Sequence, residues 1–279
     1  MNKQYHEILM RTFGAFIDLC HRENLRWYMA FGSAIGAVRH SGIIPWDDDI
    51  DVLMPRPDYE KFIRLKEEGF NIISLAVSGE DYPFPYAKFC DGSSTVWEME
   101  KYHSVWGVFV DVFPLDSASE GAASEDLFHN YQTAWWDYIR SIRHLKPQSM
   151  RDRLVALQDR LQFRPRREAL KERFLSLDAA ADSSGDFYRV YCLADSGRYL
   201  FPKSWFESTL LLPFSGFAVP VPAGNHQLLT KIYGDYMTLP PEGERVSRHH
   251  HYFMDLGRAM DFAEAQAEAC SKGVNNIDC

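Results

Sequence analysis

The chain has 279 residues, with 30 lysines and arginines against 39 aspartates and glutamates, a formal charge of −9. Apolar residues make up 46% and charged residues 25%, ordinary values for a globular protein, which excludes a disordered tail protein, a collagen-like fibre and a disulfide miniprotein. The acidic balance argues against broad nucleic-acid binding, which depends on Lys and Arg neutralising phosphates, yet it leaves room for one basic pocket holding a small phosphorylated ligand.

Ile8, Leu9, Phe13, Phe16, Ile17 and Cys20 recur at helical spacing and predict an amphipathic helix from Gln4 to Asn24. Trp27–Phe31 reads as a short strand ending at Gly32-Ser33. A short helix from Ala34 to His40 follows, then a loop marked by Ser41-Gly42 and Pro45. Ile50–Met54 reads as a second strand, with Asp58 as the N-cap of a helix to about Glu68. Further strands are expected at Asn71–Ala76, Tyr86–Cys90, Thr95–Glu98 and Val108–Phe113. Between Ala122 and Asp182 only Pro147 and Pro165 interrupt a stretch rich in Arg, Leu and Ala, so two or three helices are predicted there. Leu211–Pro222 reads as a strand or hairpin, Ala223–Tyr236 as a helix and the tail after Lys272 as frayed.

No Gly/Ser-rich linker divides the chain, so one compact domain is expected. Its parts are a core over 1–121, a helical insertion over 122–210, a C-terminal segment over 211–272 that completes the site, and a tail over 273–279. The residues after Met1 form no secretory signal and no run of about 18 apolar residues occurs, which predicts a cytoplasmic protein without an integral membrane segment. Five scattered cysteines, Cys20, Cys90, Cys192, Cys270 and Cys279, form no C-x-x-C pair and read as reduced thiols.

The strongest chemical signal is Pro45-Trp46-Asp47-Asp48-Asp49-Ile50-Asp51-Val52. Four aspartates within five positions repel one another unless cations sit among them. If Asp49 and Asp51 open a strand, residues two apart face the same way, roughly 7 Å apart at Cα, and can share one or two hard cations such as Mg²⁺ or Mn²⁺. An EF-hand reading fails, because Val52 stands where glycine is needed and Asp58 where glutamate is needed. Upstream, Phe31-Gly32-Ser33-Ala34-Ile35-Gly36 can cradle a phosphate, although small residues also serve tight packing. Downstream, Asp111 is a lone charge in the apolar run Gly107–Phe113, with Phe109 and Phe113 on its own face; it needs a partner, either a metal shared with Asp49 and Asp51 or a buried arginine.

These segments together resemble the LicD family signature. The resemblance runs through Phe31–His40 and Gly42–Asp51, continues at Arg56–Phe62 and Val110–Asp116, and returns at Tyr233–Pro241. It implies an α+β fold with a nucleotidyltransferase-type mixed sheet core flanked by helices, and a helical middle segment. It also implies a phosphotransferase in which Asp49, Asp51 and Asp111 hold Mg²⁺ or Mn²⁺ and carry catalysis, while Gly32 and Ser33 hold a donor phosphate. Whether Asp47 or Asp48 also touches metal is left open.

Basic residues must meet the donor diphosphate, and the candidates are Arg39, Lys88, Arg245, His249 and His250. Tyr233, Tyr236, Trp46, Trp97 and Trp106 are candidates for a cation–π cage, or simply core. The expected partners are a CDP-linked small-molecule donor, carrying a phosphorylated alcohol such as phosphocholine, and a hydroxyl of a cell-surface glycan or lipid-linked glycan precursor; nucleic acid is not expected. Two alternatives share the same aspartates: transfer of a nucleoside monophosphate, and a non-catalytic nucleotide- or glycan-binding protein with a metal site.

Overall fold

The first helix, α1 (Lys3–Arg22), buries Tyr5, Leu9, Phe13, Phe16 and Leu19 along one face and is capped by Asn2, whose side chain accepts from the Gln4 N–H. A computed structural model describes residues 2–78, 81–182, 184–247 and 251–274. The elements that follow are β1 (Tyr28–Met29), α2 (Phe31–Ile35), β2 (Asp51–Pro55), α3 (Arg56–Phe62), β3 (Phe70–Ile73), α4 (Leu75–Ser78), β4 (Ala87–Asp91), β5 (Thr95–Trp97) and β6 (Phe109–Ala118). Then come α5 (Ala122–Ile142), α6 (Met150–Gln158), α7 (Arg167–Ala181), β7 (Phe187–Arg189), β8 (Leu200–Pro202), β9 (Thr209–Phe214), β10 (Phe217–Pro222), α8 (Asn225–Tyr233), β11 (Phe253–Asp255) and α9 (Phe262–Ser271).

The architecture is α+β with a mixed sheet. Its path is β1-β2-β6-β4-β3, with β7 added to the far half of β6 and β8 to β7. β2 and β6 run parallel, and the other pairs in the sheet are antiparallel. β6 is buried along nearly its whole length, so it reads as an apolar run in which each charge stands out. α1 covers β4 and β6, and its Phe16 meets Phe62 and Phe89 edge-on. α5 and α7 pack on each other, β9 and β10 form a hairpin, and β5 pairs with β11.

Several expected boundaries move for local reasons. The helix expected from Asp58 to Glu68 spans Arg56–Phe62, because Pro57 suits a first helical turn, and Asp58 pairs with Arg26 at 2.8 Å instead of capping. The strand expected over Asn71–Ala76 stops at Ile73 and gives way to α4. β6 outruns its predicted end at Phe113 by passing through Pro114. The Asp111 N–H donates to Ile50 on the β2 side, so the N–H that proline lacks would face the other side, where pairing with β4 ends at Val112. The region 122–210 is helical only in part, since β7 and β8 return to the sheet. Among the described residues no helix is long and apolar enough to cross a membrane. Cys20, Cys90 and Cys192 are free thiols, but Cys270 is disulfide-bonded, so the expectation of reduced thiols fails there.

Candidate active site

Three adjacent strands bring their charges into one row. Asp51 on β2 lies opposite Asp111 on β6, and Lys88 on β4 lies opposite the same Asp111. Residues directly opposed across strands share a face, about 5 Å apart at Cα. Lys88 Nζ donates to Asp111 Oδ1 at 2.8 Å and pairs with Glu98 at 3.1 Å. Lys88 is fully buried, and its ammonium lies 3.3 Å from the Phe109 ring centroid, 4.5 Å from that of Phe84 and 5.5 Å from that of Trp106. Burial alone would strip its proton, but the carboxylates of Asp111 and Glu98 outweigh that and raise its pKa above the ordinary lysine value. The partner that Asp111 requires is therefore a lysine from the neighbouring strand.

The acidic loop precedes β2. Asp47, Asp48 and Asp49 each present a carboxylate oxygen, and these oxygens lie within 4.8 Å of one another. The loop rests on the Gly-Ser turn at the start of α2. A Cβ at Gly32 would stand 2.7 Å from Asp47 Oδ2, so a larger residue there would push that carboxylate aside. The Ser33 hydroxyl accepts from the Asp51 N–H at 2.9 Å and so pins the start of β2. Just before them Phe31 adopts φ +45°, a costly conformation for an aromatic residue, held between Phe113 and Tyr199. Ser247, far along the chain, donates to Asp48 Oδ2 at 2.7 Å. Desolvation, then the charges of Asp49, Asp111 and Asp47, push the Asp51 carboxyl well above the ordinary aspartate range, with Lys88 as a partial offset.

Beside this row lies a cavity of about 360 Å³, lined by Asp48, Asp49, Glu98 and Asp111 together with Tyr5, Phe84, Tyr86, Phe109, Met99 and His251. Four acids against the single buried charge of Lys88 leave the walls negative. Aromatic faces fill most of the rest, and the His251 ring stacks on Tyr5.

The first half of the chain carries a recognisable domain. Residues 24–154 match the LicD/FKTN/FKRP nucleotidyltransferase-domain family. Over 261 residues the chain is 27% identical to the lipopolysaccharide cholinephosphotransferase LicD of Haemophilus influenzae, covering 87% of this chain and 93% of that protein. Residues 24–154 thus form a LicD-family domain. Shorter matches join it to two uncharacterized proteins, one of Rickettsia typhi with 36% identity over 59 residues and one of Rickettsia prowazekii with 46% over 35; they cover 20% and 12% of this chain, and 19% and 13% of those proteins.

Around this LicD-family domain the remaining candidates divide. Arg39 donates to Tyr236 O at 2.5 Å and Thr238 O at 3.3 Å; Arg245 donates to Pro240 O at 2.8 Å and lies 5.7 Å over the Trp46 ring. Burial and the Arg245 charge lower the Arg39 pKa from its ordinary value. Both arginines thus meet beside the acidic loop, Arg39 from within the matched domain and Arg245 from beyond its end. His249 and His250 lie outside the described residues. Of the aromatic candidates, Trp106 packs near Lys88, while Trp97 belongs to a separate cluster with Tyr252 and Phe262. Tyr236 bonds His226 at 2.9 Å. Desolvation, then the charges of Asp51, Asp47 and Asp49, raises the Tyr233 phenol well above its ordinary value.

The rings that line the cavity are others: Tyr5, Phe84, Tyr86 and Phe109. Glu98 also escaped sequence reasoning, although a lone acid closing the run Thr95-Val96-Trp97 is the same kind of signal that singled out Asp111.

Proposed function

We propose that this LicD-family phosphotransferase moves phosphocholine, or a closely similar phosphorylated cationic alcohol, from a CDP-linked donor to a hydroxyl of a cytoplasmic lipopolysaccharide-type glycan precursor. The observation that carries the reading is the cavity of aromatic faces and acids opening directly onto Asp49 and Asp111. Aromatic faces with nearby carboxylates favour a quaternary ammonium, which needs no hydrogen bonds and gains from cation–π attraction. The kinship to a lipopolysaccharide cholinephosphotransferase supports the same substrate class.

The acids also fit a hard divalent cation, since oxygen donors suit Mg²⁺ or Mn²⁺ and three carboxylates converge within 4.8 Å. In this reading Asp49 and Asp51 would hold the ion with help from Asp47 or Asp48, and Asp111, opposite Asp51 on the next strand, would be a further oxygen donor. Bound there, the ion would supply the positive charge that a diphosphate needs among so many carboxylates. The Gly32–Ser33 turn sets the loop close to the donor phosphate, and Arg39 and Arg245 place positive charge at the rim. The acceptor hydroxyl oxygen bonds to phosphorus while the bond from phosphorus to the bridging oxygen breaks. CMP leaves with that electron pair, and the hydroxyl proton passes to Asp111, whose position Lys88 holds.

The test is product analysis with CDP-choline, Mg²⁺ and a lipopolysaccharide acceptor, with the nucleotide product identified. CMP released in proportion to acceptor modified, and abolished by a chelator, is the expected result. Pyrophosphate released from CTP, with no reaction of CDP-choline, would replace this reading with nucleotidyl transfer. Donor binding without any product would favour a binding protein.

A further inference from the structure

α6 buries none of its residues against the rest of the protein, yet it carries large apolar side chains. Met150, Leu154, Leu157 and, in the π-helical turn that continues it, Leu161 are 70%, 64%, 50% and 65% exposed. Their spacing of four, three and four residues puts them in one stripe along the helix. The opposite side is fixed. Asp159 is buried and held by Arg140 at 2.8 Å and Arg143 at 2.6 Å, both on or next to α5. At about 100° per residue each stripe residue lies roughly 140–180° around the helix from Asp159, so the stripe points away from the body. The helix start is secured locally by a capping box between Ser149 and Asp152. The helix is therefore held in place while its apolar side covers nothing.

What flanks the stripe identifies its occupant. Residues 150–167 contain six arginines against two aspartates, in a chain whose net charge is −9. Arg151, Arg153 and Arg160 are exposed, and on the helical wheel they lie to either side of the leucines. An apolar stripe between rows of arginine is the pattern of a helix lying in a membrane interface, its leucines among acyl chains and its guanidinium groups at phosphates. A folded protein partner of ordinary composition would leave that concentration of positive charge unmatched, whereas an anionic bilayer matches it.

We infer that α6 and the turn after it dock this protein on the surface of an anionic phospholipid bilayer. The mode is interfacial and reversible. It is independent of which group the active site transfers.

The test is co-sedimentation of the full chain with phosphatidylcholine vesicles, with and without phosphatidylglycerol. Binding is expected only to the anionic vesicles, weakening by about fivefold for each of Arg151→Gln, Arg153→Gln and Arg160→Gln and with added salt. The double variant Leu154→Glu/Leu157→Glu should lose at least tenfold in binding, as an order of magnitude, while its thermal unfolding stays nearly unchanged because both leucines are exposed. Absence of binding to anionic vesicles, or full binding by the leucine variant, overturns the inference. So does a wild-type dimer that the leucine variant converts to monomer, since the stripe is then covered by a second copy.

Discussion

β6 carries two buried carboxylates five residues apart, and they lead opposite lives. Asp116 is gripped by the Arg56 fork, with Nε to Oδ1 at 2.5 Å and Nη2 to Oδ2 at 3.1 Å; the same guanidinium reaches Asp178 on α7 at 3.1 and 3.2 Å. Tyr131 of α5 adds a hydrogen bond to Asp178, so this centre ties α3, β6, α5 and α7 together. The space beside Asp178 is a crevice of about 20 Å³, room for a water at most. Asp111 has a lysine instead, a point charge without a fork, and it borders a cavity of about 360 Å³ shared with three more acids. Both segments lie in the family-like motifs. The two pairs thus differ first in the space left beside them.

The comparison can be broken most directly at the acidic loop. Asp49→Asn and Asp51→Asn should each lower transfer by about 10²–10³-fold or more while the protein stays folded, because each removes one of several mutually repelling charges. CMP release and the unfolding midpoint, measured on the same preparations, check this; near-normal turnover in both variants would remove these residues from the chemistry. Next in size, Arg56→Met should cost about 3–5 kcal/mol of stability by stranding Asp116 and Asp178, as read by urea unfolding. Turnover per folded molecule should survive that change.

Lys88→Met separates the two centres. It should cost about 3 kcal/mol, for the same reason, but should also depress turnover in the molecules that remain folded, because Asp111 loses its tether. Stability loss with unchanged turnover would make the Lys88 pair as purely structural as that of Arg56. The smallest effect is expected at a third buried acid, Asp91 on β4. Burial by itself would raise this carboxyl, but hydrogen bonds from Ser94, Ser93 and Arg11 bring it below the ordinary aspartate value. A depressed folded pKa stabilises above the unfolded value of about 4 and is lost as pH falls through the lower folded value. Asp91→Asn should therefore cost about 1–2 kcal/mol at neutral pH and flatten the acid limb of the stability curve.

Much of this site could be read from residue order. The crowded aspartates, the Gly32–Ser33 turn and the lone charge of Asp111 are local signals, because like charges and buried charges are costly wherever the chain goes. The helix of α1 and the strand character of β2, β4 and β6 were legible for the same reason, through apolar spacing at their own periods. Glu98, Tyr5 and His251 were not, since each becomes a cavity residue only when separate elements converge. The strand through Pro114 was also hidden: proline ends a strand only where its missing N–H would have been used, and that depends on the neighbour.

The sequence by itself determined which residues could not be left alone: four acids within five positions, one in an apolar run, and a lysine in another. Which of them answer one another was decided only by the tertiary structure. Strand register placed Lys88 and Asp51 on either side of Asp111, and α1 closed the cavity with Tyr5. Electrostatic cost is written into composition and order, whereas its compensation acts over a few ångströms between residues distant in the chain, so it exists only once the strands are paired.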